Sequence, residues 1–224
     1  MSPQVIEGAD LRHVDAWLFD LDDTLYPHDN GIMVEMRARI ARFIARVTGK
    51  PEREAAIIQR GWLEKHGAAL PGMLAEHNVD PKHFLEDIHN VSLDALSPHP
   101  ALDTALAALP GRCFIFTNGA ASHAERVLTT LGVAERFEGV FHIESADMTP
   151  KPHPSTFDRM IAAFGIAPEA TCFFEDTSKN LIQAKALEMT TVLVGRGDAA
   201  EPHIDYLTDD LIDFLTTARV KEPA

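Results

Sequence analysis

The sequence predicts an α/β fold, a doubly wound parallel sheet carrying an inserted α-helical cap, and three observations predict it. Five short apolar runs alternate with stretches of helical periodicity along the 224 residues, the pattern of a parallel sheet whose crossovers are helices. About ninety residues separate the first two runs, far more than one crossover helix needs. The residues between those runs are themselves helical in pattern.

The first strand is the run 16–19, Ala-Trp-Leu-Phe. After it Met33, Met36, Ile40, Phe43, Ile44 and Val47 recur at spacings of three and four, an apolar stripe on a helix that Gly49 and Pro51 terminate. A second helix is expected over 52–66, closed by Gly67, with shorter ones over 72–77 and 81–91. Ser97-Pro98-His99-Pro100 marks the return to the sheet. Strands then follow at 113–116, 140–143, 172–174 and 191–194, with helices at 101–109, 122–131, 154–164, 178–188 and 209–218. Residues 1–27 and 98–224 are thus expected to form the core and 28–97 the cap.

Apolar residues make up 46% and charged residues 24%, ordinary for a globular protein, and the formal net charge is −14. That charge argues against nucleic acid polymers and anionic membranes as partners met through a broad basic face. A small anionic substrate stays open where local cations shield it. No apolar run reaches membrane-spanning length, and residues 1–13 show no signal-peptide pattern. Cys113 and Cys172 fall inside apolar runs and outside any CxxC pattern, so both read as small buried hydrophobes. The expectation is a cytoplasmic protein.

Side chains of catalytic type stand at four strand ends, where open α/β sheets bind ligands. Asp20 and Asp22 follow the first strand; in an extended chain they share a face while Asp23 points elsewhere. Two close carboxylates need a shared proton or a cation, so the pair asks for a divalent metal, a proton-transfer role, or both. After the second strand, Thr117-Asn118-Gly119 offers a hydroxyl and turn amides to phosphate oxygens at a helix N-terminus. After the third, Lys151 between Pro150 and Pro152 is a fixed ammonium able to balance the carboxylates. After the fourth, Glu175 and Asp176 are hard oxygen donors suited to magnesium.

In that order the residues describe phosphoryl transfer. Asp20 attacks phosphorus, and Asp22 protonates the leaving oxygen and later activates water. Thr117, the Asn118 amide and Lys151 hold the phosphoryl oxygens, magnesium neutralises charge, and an aspartyl phosphate is the implied intermediate.

Four ordered motifs carry a resemblance: Asp20-Leu21-Asp22-Asp23-Thr24, Thr117 in Phe-Thr-Asn-Gly, Lys151 in Lys-Pro-His-Pro-Ser-Thr-Phe, and Glu175-Asp176-Thr177-Ser178-Lys179-Asn180. Through them nearly the whole chain resembles the haloacid dehalogenase (HAD) superfamily in its phosphatase branch. The resemblance implies a Rossmann-like core with a helical cap between the first two motifs, acting on a small phosphorylated metabolite. It also implies Mg2+ held by the carboxylates of Asp20 and Asp176 and the backbone carbonyl of Asp22. Glu175 is a further metal candidate, and Asn180 stands where many relatives have a second Asp. The extended strings 20–27 and 173–180 are most similar to the pyrimidine 5′-nucleotidase-like group, which implies a nucleoside 5′-monophosphate such as UMP or CMP as substrate.

Rival functions differ in what they require. A dehalogenase of the same fold has no need of an acid at Asp22 or of magnesium. A sugar phosphomutase, or another small-metabolite phosphatase, shares every core motif and differs only in its substrate or product. A phospho-accepting receiver domain places its acidic pair first and its accepting aspartate on a later strand, an order absent here. In the cap, Arg39, Arg42 and Arg46 read as a solvated helix face, and Trp62, Met33 and Met36 as cap core. Lys179 reads as a surface residue, and His28 equally as a turn residue or a substrate contact.

Overall fold

The computed structural model describes residues 8–195 and 201–222; residues 1–7 of the N-terminal segment searched for a signal peptide lie outside them. Six strands, β1 (Ala16–Phe19), β2 (Arg112–Phe116), β3 (Gly139–Phe141), β4 (Thr171–Glu175), β5 (Thr190–Val194) and β6 (Tyr206–Thr208), form one sheet in the order β3-β2-β1-β4-β5-β6. Every neighbouring pair is parallel. β1 lies inside the sheet, Ala16 facing Arg112 on one side and Thr171 on the other. The ends of β2 and β4 therefore flank the end of β1.

Four α-helices lie between β1 and the return to the sheet: α1 (Ile32–Thr48), α2 (Glu52–His66), α3 (Ala69–Glu76) and α4 (Pro81–Ile88). Five follow the return: α5 (Pro100–Ala107), α6 (Ala121–Leu131), α7 (Pro154–Phe164), α8 (Ser178–Ala186) and α9 (Leu211–Thr217). Alternate strand residues feed two cores. Trp17, Phe19, Ile115 and Phe174 pack with Leu102, Val127, Leu128 and Leu211 from α5, α6 and α9. Leu18, Phe114, Phe116 and Phe173 pack with Phe157, Met160, Leu181 and Ala184 from α7 and α8. A sheet covered on both faces explains why its strands are continuous apolar runs rather than alternating ones.

The inserted helices bury a third cluster, in which Phe43, Ile44, Trp62, Met73, Phe84 and Ile88 meet Ala120 and Ile143 from the loops after β2 and β3. Their boundaries follow local chemistry. Gly49 (φ 68°) and Gly67 (φ 80°) take the left-handed conformation that ends α1 and α2. Pro81 opens α4, and the Asp80 side chain accepts a hydrogen bond from the Lys82 N–H. The Trp62 indole donates to Glu76 at 2.9 Å and packs against Gly72, where a Cβ would come within 2.2 Å of the ring.

Several element limits differ from those expected. β3 ends at Phe141, and Ile143, expected in that strand, instead turns back so that its N–H bonds the Gly119 carbonyl at 3.1 Å. α3 begins at Ala69, with Pro71 in its first turn, where no backbone donor is needed. β6 was not expected at all: Tyr206-Leu207-Thr208 is a three-residue edge strand, half-buried and without an apolar run.

Candidate active site

Asp20 leaves β1 with its N–H bonded to the Phe174 carbonyl (2.9 Å), so the strand ladder fixes its backbone before its carboxylate enters the site. Lys151 meets it there from the loop after β3, 1% exposed. Its ammonium donates to Asp20 Oδ1 (2.6 Å), Glu175 Oε2 (2.6 Å) and the Phe116 carbonyl (2.7 Å), which uses all three donors. The Asn118 side chain holds the Lys151 backbone, accepting from its N–H at 2.8 Å and donating to its carbonyl at 3.4 Å. Thr117 Oγ1, also buried, accepts the Gly119 N–H at 2.9 Å. The Thr117 hydroxyl proton is thereby left to serve a ligand oxygen.

Charge is crowded at this point. Oxygen atoms of Asp20, Glu175 and Asp176 lie within 4.8 Å of one another. Burial first, then the neighbouring carboxylates, push Asp20 and Asp176 above the usual carboxylate range, with Lys151 opposing. Burial disfavours the Lys151 ammonium, and the charges of Asp20 and Glu175 more than compensate, so it keeps its proton. Both Glu175 oxygens are engaged, Oε2 by Lys151 and Oε1 by the Thr177 N–H at 3.1 Å. Glu175 is thus the counter-ion of Lys151. Asp20 and Asp176, hard carboxylates short of neutralising charge, fit a divalent cation.

Asp22 occupies the same cavity but has different partners. Its Oδ1 accepts from the Tyr26 hydroxyl and faces His123 Nε2 at 2.7 Å. Burial raises its carboxyl, but the adjoining His123 and the hydrogen bonds outweigh that and hold it below the ordinary value. The His123 ring stacks on His89, centroids 4.8 Å apart, and His89 Nδ1 lies 2.8 Å from the Leu85 carbonyl. Neither histidine is legible as a site residue, since His89, directly after α4, and His123, in the first turn of α6, have no partner nearby in sequence. The one available signal was the spacing of His123, six residues after Thr117.

A cavity of about 810 Å³ lies between the strand ends and the inserted helices. Asp20, Asp22, Thr117, Asn118, Lys151, Glu175 and Asp176 line its floor. Asp23 lines it too, contrary to the expectation of alternating faces: β1 has ended at Phe19, and Asp23 sits in a left-handed turn (φ 58°) with Oδ2 3.6 Å from Arg37. Arg37, Gln59 and Arg60 reach the cavity from α1 and α2. Arg39, Arg42 and Arg46 instead form ion pairs with Glu35 and Asp87. Lys179 is exposed, as expected, and it also borders the cavity, donating to the Glu64 carbonyl of α2 at 3.0 Å. Gly67 packs on the loop after β3 so closely that a Cβ would fall 2.7 Å from the Lys151 carbonyl oxygen. His28 is exposed in a 3-10 turn, and Trp62 is buried in the cap core.

Several known proteins are similar to this chain over most of its length. The chain is 26% identical over 213 residues to the glyceraldehyde 3-phosphate phosphatase of Methanocaldococcus jannaschii, covering 88% of this chain and 92% of that one. It is 23% identical over 194 residues to phosphate metabolism protein 8 of Saccharomyces cerevisiae, covering 79% of this chain but only 60% of that relative's length. Among solved structures, a HAD phosphatase from Thermococcus onnurineus superposes with a TM-score of 0.60 at 22% identity, over 92% of this chain and all of that one. The L-2-haloacid dehalogenase of Xanthobacter autotrophicus gives 0.56 at 17%, over 91% and 97% of the two chains. At such identities the structural likeness is one of fold. The haloacid dehalogenase-like hydrolase family model matches residues 14–187, from the start of β1 through α8, and the chain belongs to that family.

Proposed function

We propose that the protein hydrolyses a phosphomonoester through an aspartyl phosphate formed on Asp20, with Mg2+ as cofactor and residues 28–97 as the cap over the site. The observation that carries this reading is the Lys151 ammonium, fastened to both Asp20 and Glu175 on the floor of a cavity that also holds Asp22, Thr117 and Asp176. The carboxylates of Asp20 and Asp176 and the backbone carbonyl of Asp22 would hold Mg2+. When bound, the ion supplies charge neutralisation for the carboxylates and the phosphoryl oxygens.

Lys151 orients Asp20 by one oxygen and leaves the other to attack phosphorus. The phosphorus–oxygen ester bond breaks, and the leaving oxygen takes a proton from Asp22. Water then attacks the aspartyl phosphate and returns a proton to Asp22, which releases phosphate and restores Asp20. The Thr117 hydroxyl donates to a phosphoryl oxygen. An entering phosphate brings negative charge beside Asp22 and so opposes the depression of its carboxyl.

The walls support a nucleoside 5′-monophosphate, a pyrimidine nucleotide being the reading the motifs favour. Met33, Met36, Ile40, Leu70, Phe84 and Ile88 form an apolar surface for a flat base, with Arg37, Gln59 and Arg60 as cap polar groups. A small sugar phosphate is the second reading, favoured by the similarity to glyceraldehyde 3-phosphate phosphatases over about nine-tenths of the chain. Phosphate release from UMP, CMP, glyceraldehyde 3-phosphate and phosphoglycolate decides between them, and preference for a sugar phosphate would displace the nucleotide. Asp20→Asn is expected to abolish release from every substrate. Turnover surviving in that variant would sink the covalent mechanism.

A further inference from the structure

Asp22 carries two oxygens, and the structure treats them differently. Oδ1 takes the Tyr26 hydroxyl and His123 Nε2, both from side chains no more than 3% exposed. Oδ2 lies toward Gly119 and Thr117. A Cβ added to Gly119 would sit 3.2 Å from Thr117 Oγ1 and 3.6 Å from Asp22 Oδ2, so the absent side chain keeps open the gap between these two atoms.

We infer that Tyr26 and His123 are positioning residues that clamp Asp22 Oδ1 and so commit Oδ2 to the proton exchanged with the leaving oxygen and with water. The inference rests on the reading of Asp22 as the acid and base. His123 supplies the argument against a purely structural pairing. It lies fully buried on the face where α6 contributes Ala124, Val127, Leu128 and Leu131 to the core. Its Nδ1 has no hydrogen-bond partner among the described residues. An orphaned buried nitrogen is destabilising, a cost that an aliphatic side chain would avoid. What His123 provides in exchange is one donor aimed at Asp22: with nothing facing Nδ1, the ring proton belongs on Nε2. The plane of the ring is set by the His89 stack, and His89 is itself fixed by the Leu85 carbonyl. Tyr26, four residues beyond Asp22 in the same turn, supplies the second donor. Burial and the adjacent carboxylates raise its phenol, which keeps its proton. Two donors on one oxygen leave the carboxylate no rotation that exchanges Oδ1 for Oδ2.

The test compares phenyl phosphate, whose basic leaving group needs a proton, with 4-nitrophenyl phosphate, which needs one far less. The parameter is kcat/KM, which reports the steps through leaving-group departure. Asp22→Asn should lower kcat/KM far more for the phenyl ester. Tyr26→Phe and His123→Leu should each lower it about tenfold more for the phenyl than for the 4-nitrophenyl ester, against a whole general-acid contribution of roughly 10²-fold to 10⁴-fold. His123→Gln, which restores a donor near the Nε2 position, should recover most of the loss. Equal losses on both esters in the clamp variants, with Asp22→Asn still discriminating, overturn the positioning role and leave the Asp22 reading standing. If Asp22→Asn itself does not discriminate, the acid assignment falls and the clamp with it. Should His123→Leu fail to fold, Tyr26→Phe, which removes only a hydroxyl, decides alone.

Discussion

His89 keeps a neutral ring in the wall of the cavity, held there chiefly by burial and then by the neighbouring His123, which together lower its pKa to about 4. An unfolded His titrates near 6.5. Between these values the unfolded chain binds a proton that the folded chain refuses, so stability is complete above about pH 6.5 and is lost as the pH falls toward 4. The effect is worth up to about 3 kcal/mol. His89→Asn keeps a donor for the Leu85 carbonyl and removes the titration. Thermal melts at pH 7 and pH 4.5 are expected to separate less in this variant than in the wild type. A related lesson concerns Asp20 and Asp23. Asp20 was legible because a strand end announces it, whereas Asp23 was misplaced because the alternation of a strand was carried past its last residue. His89 and His123 had no announcement, since their meaning comes from the contact of His123 with Asp22 and from the stacking of the two rings, which stand 34 positions apart in the chain.

At the scale of elements, α2 meets both the loop after β3 and the start of α8. Gly67 ends α2 over the Lys151 carbonyl, and Lys179 from α8 reaches the Glu64 carbonyl in the last turn of α2. Gly67→Ala puts an L side chain into a left-handed conformation at about 1–2 kcal/mol and drives its Cβ into the carbonyl oxygen of Lys151. The expected outcome is a modest fall in Tm together with a larger fall in kcat, because the displaced peptide carries the ammonium that orients Asp20. A fall in Tm with unchanged kcat would show that this contact does not support the site. Gly72→Ala tests the interior of the same insertion. Its Cβ would overlap the Trp62 ring, and overpacking of this kind costs about 1–3 kcal/mol, measured by denaturant unfolding. Glycines of this sort marked the helix ends well from sequence, as Gly49 and Gly67 show. The start of α3 was less legible because Pro71 suggests a break where it in fact occupies a first turn.

For the whole molecule, the crowded carboxylates make stability and cofactor inseparable. Bringing Asp20, Glu175 and Asp176 together around one lysine is costly, and a divalent cation that binds only the folded chain stabilises it by mass action, about 2.7 kcal/mol at a free concentration 100 times its Kd. Mg2+ is therefore expected to raise Tm and EDTA to abolish phosphate release, with Asp176→Asn losing the Mg2+-dependent part of the Tm. A Tm increment unchanged in that variant would place the cation elsewhere. The general plan of the molecule was readable because its strands are buried on both faces and announce themselves as apolar runs; β6, at an edge, was not, for the opposite reason. Cavity-facing residues such as Arg37 were indistinguishable from Arg39 in sequence, since the two lie on one helix and only packing decides which faces the cavity.

The chain leaves the sheet after β1 and returns near His99, whose N–H is bonded to the Leu131 carbonyl at the end of α6. The insertion is therefore joined to the core at two points. A different helical module joined there would inherit the aspartates, the lysine, Tyr26 and His123, but it would have to supply its own partner for the His123 ring in place of His89. To seat on the loop after β3 it would also need a residue without a side chain over Lys151, an acceptor for Lys179 and apolar side chains against Ala120 and Ile143, the conditions that a grafted cap must meet to bring new substrate preferences to this core.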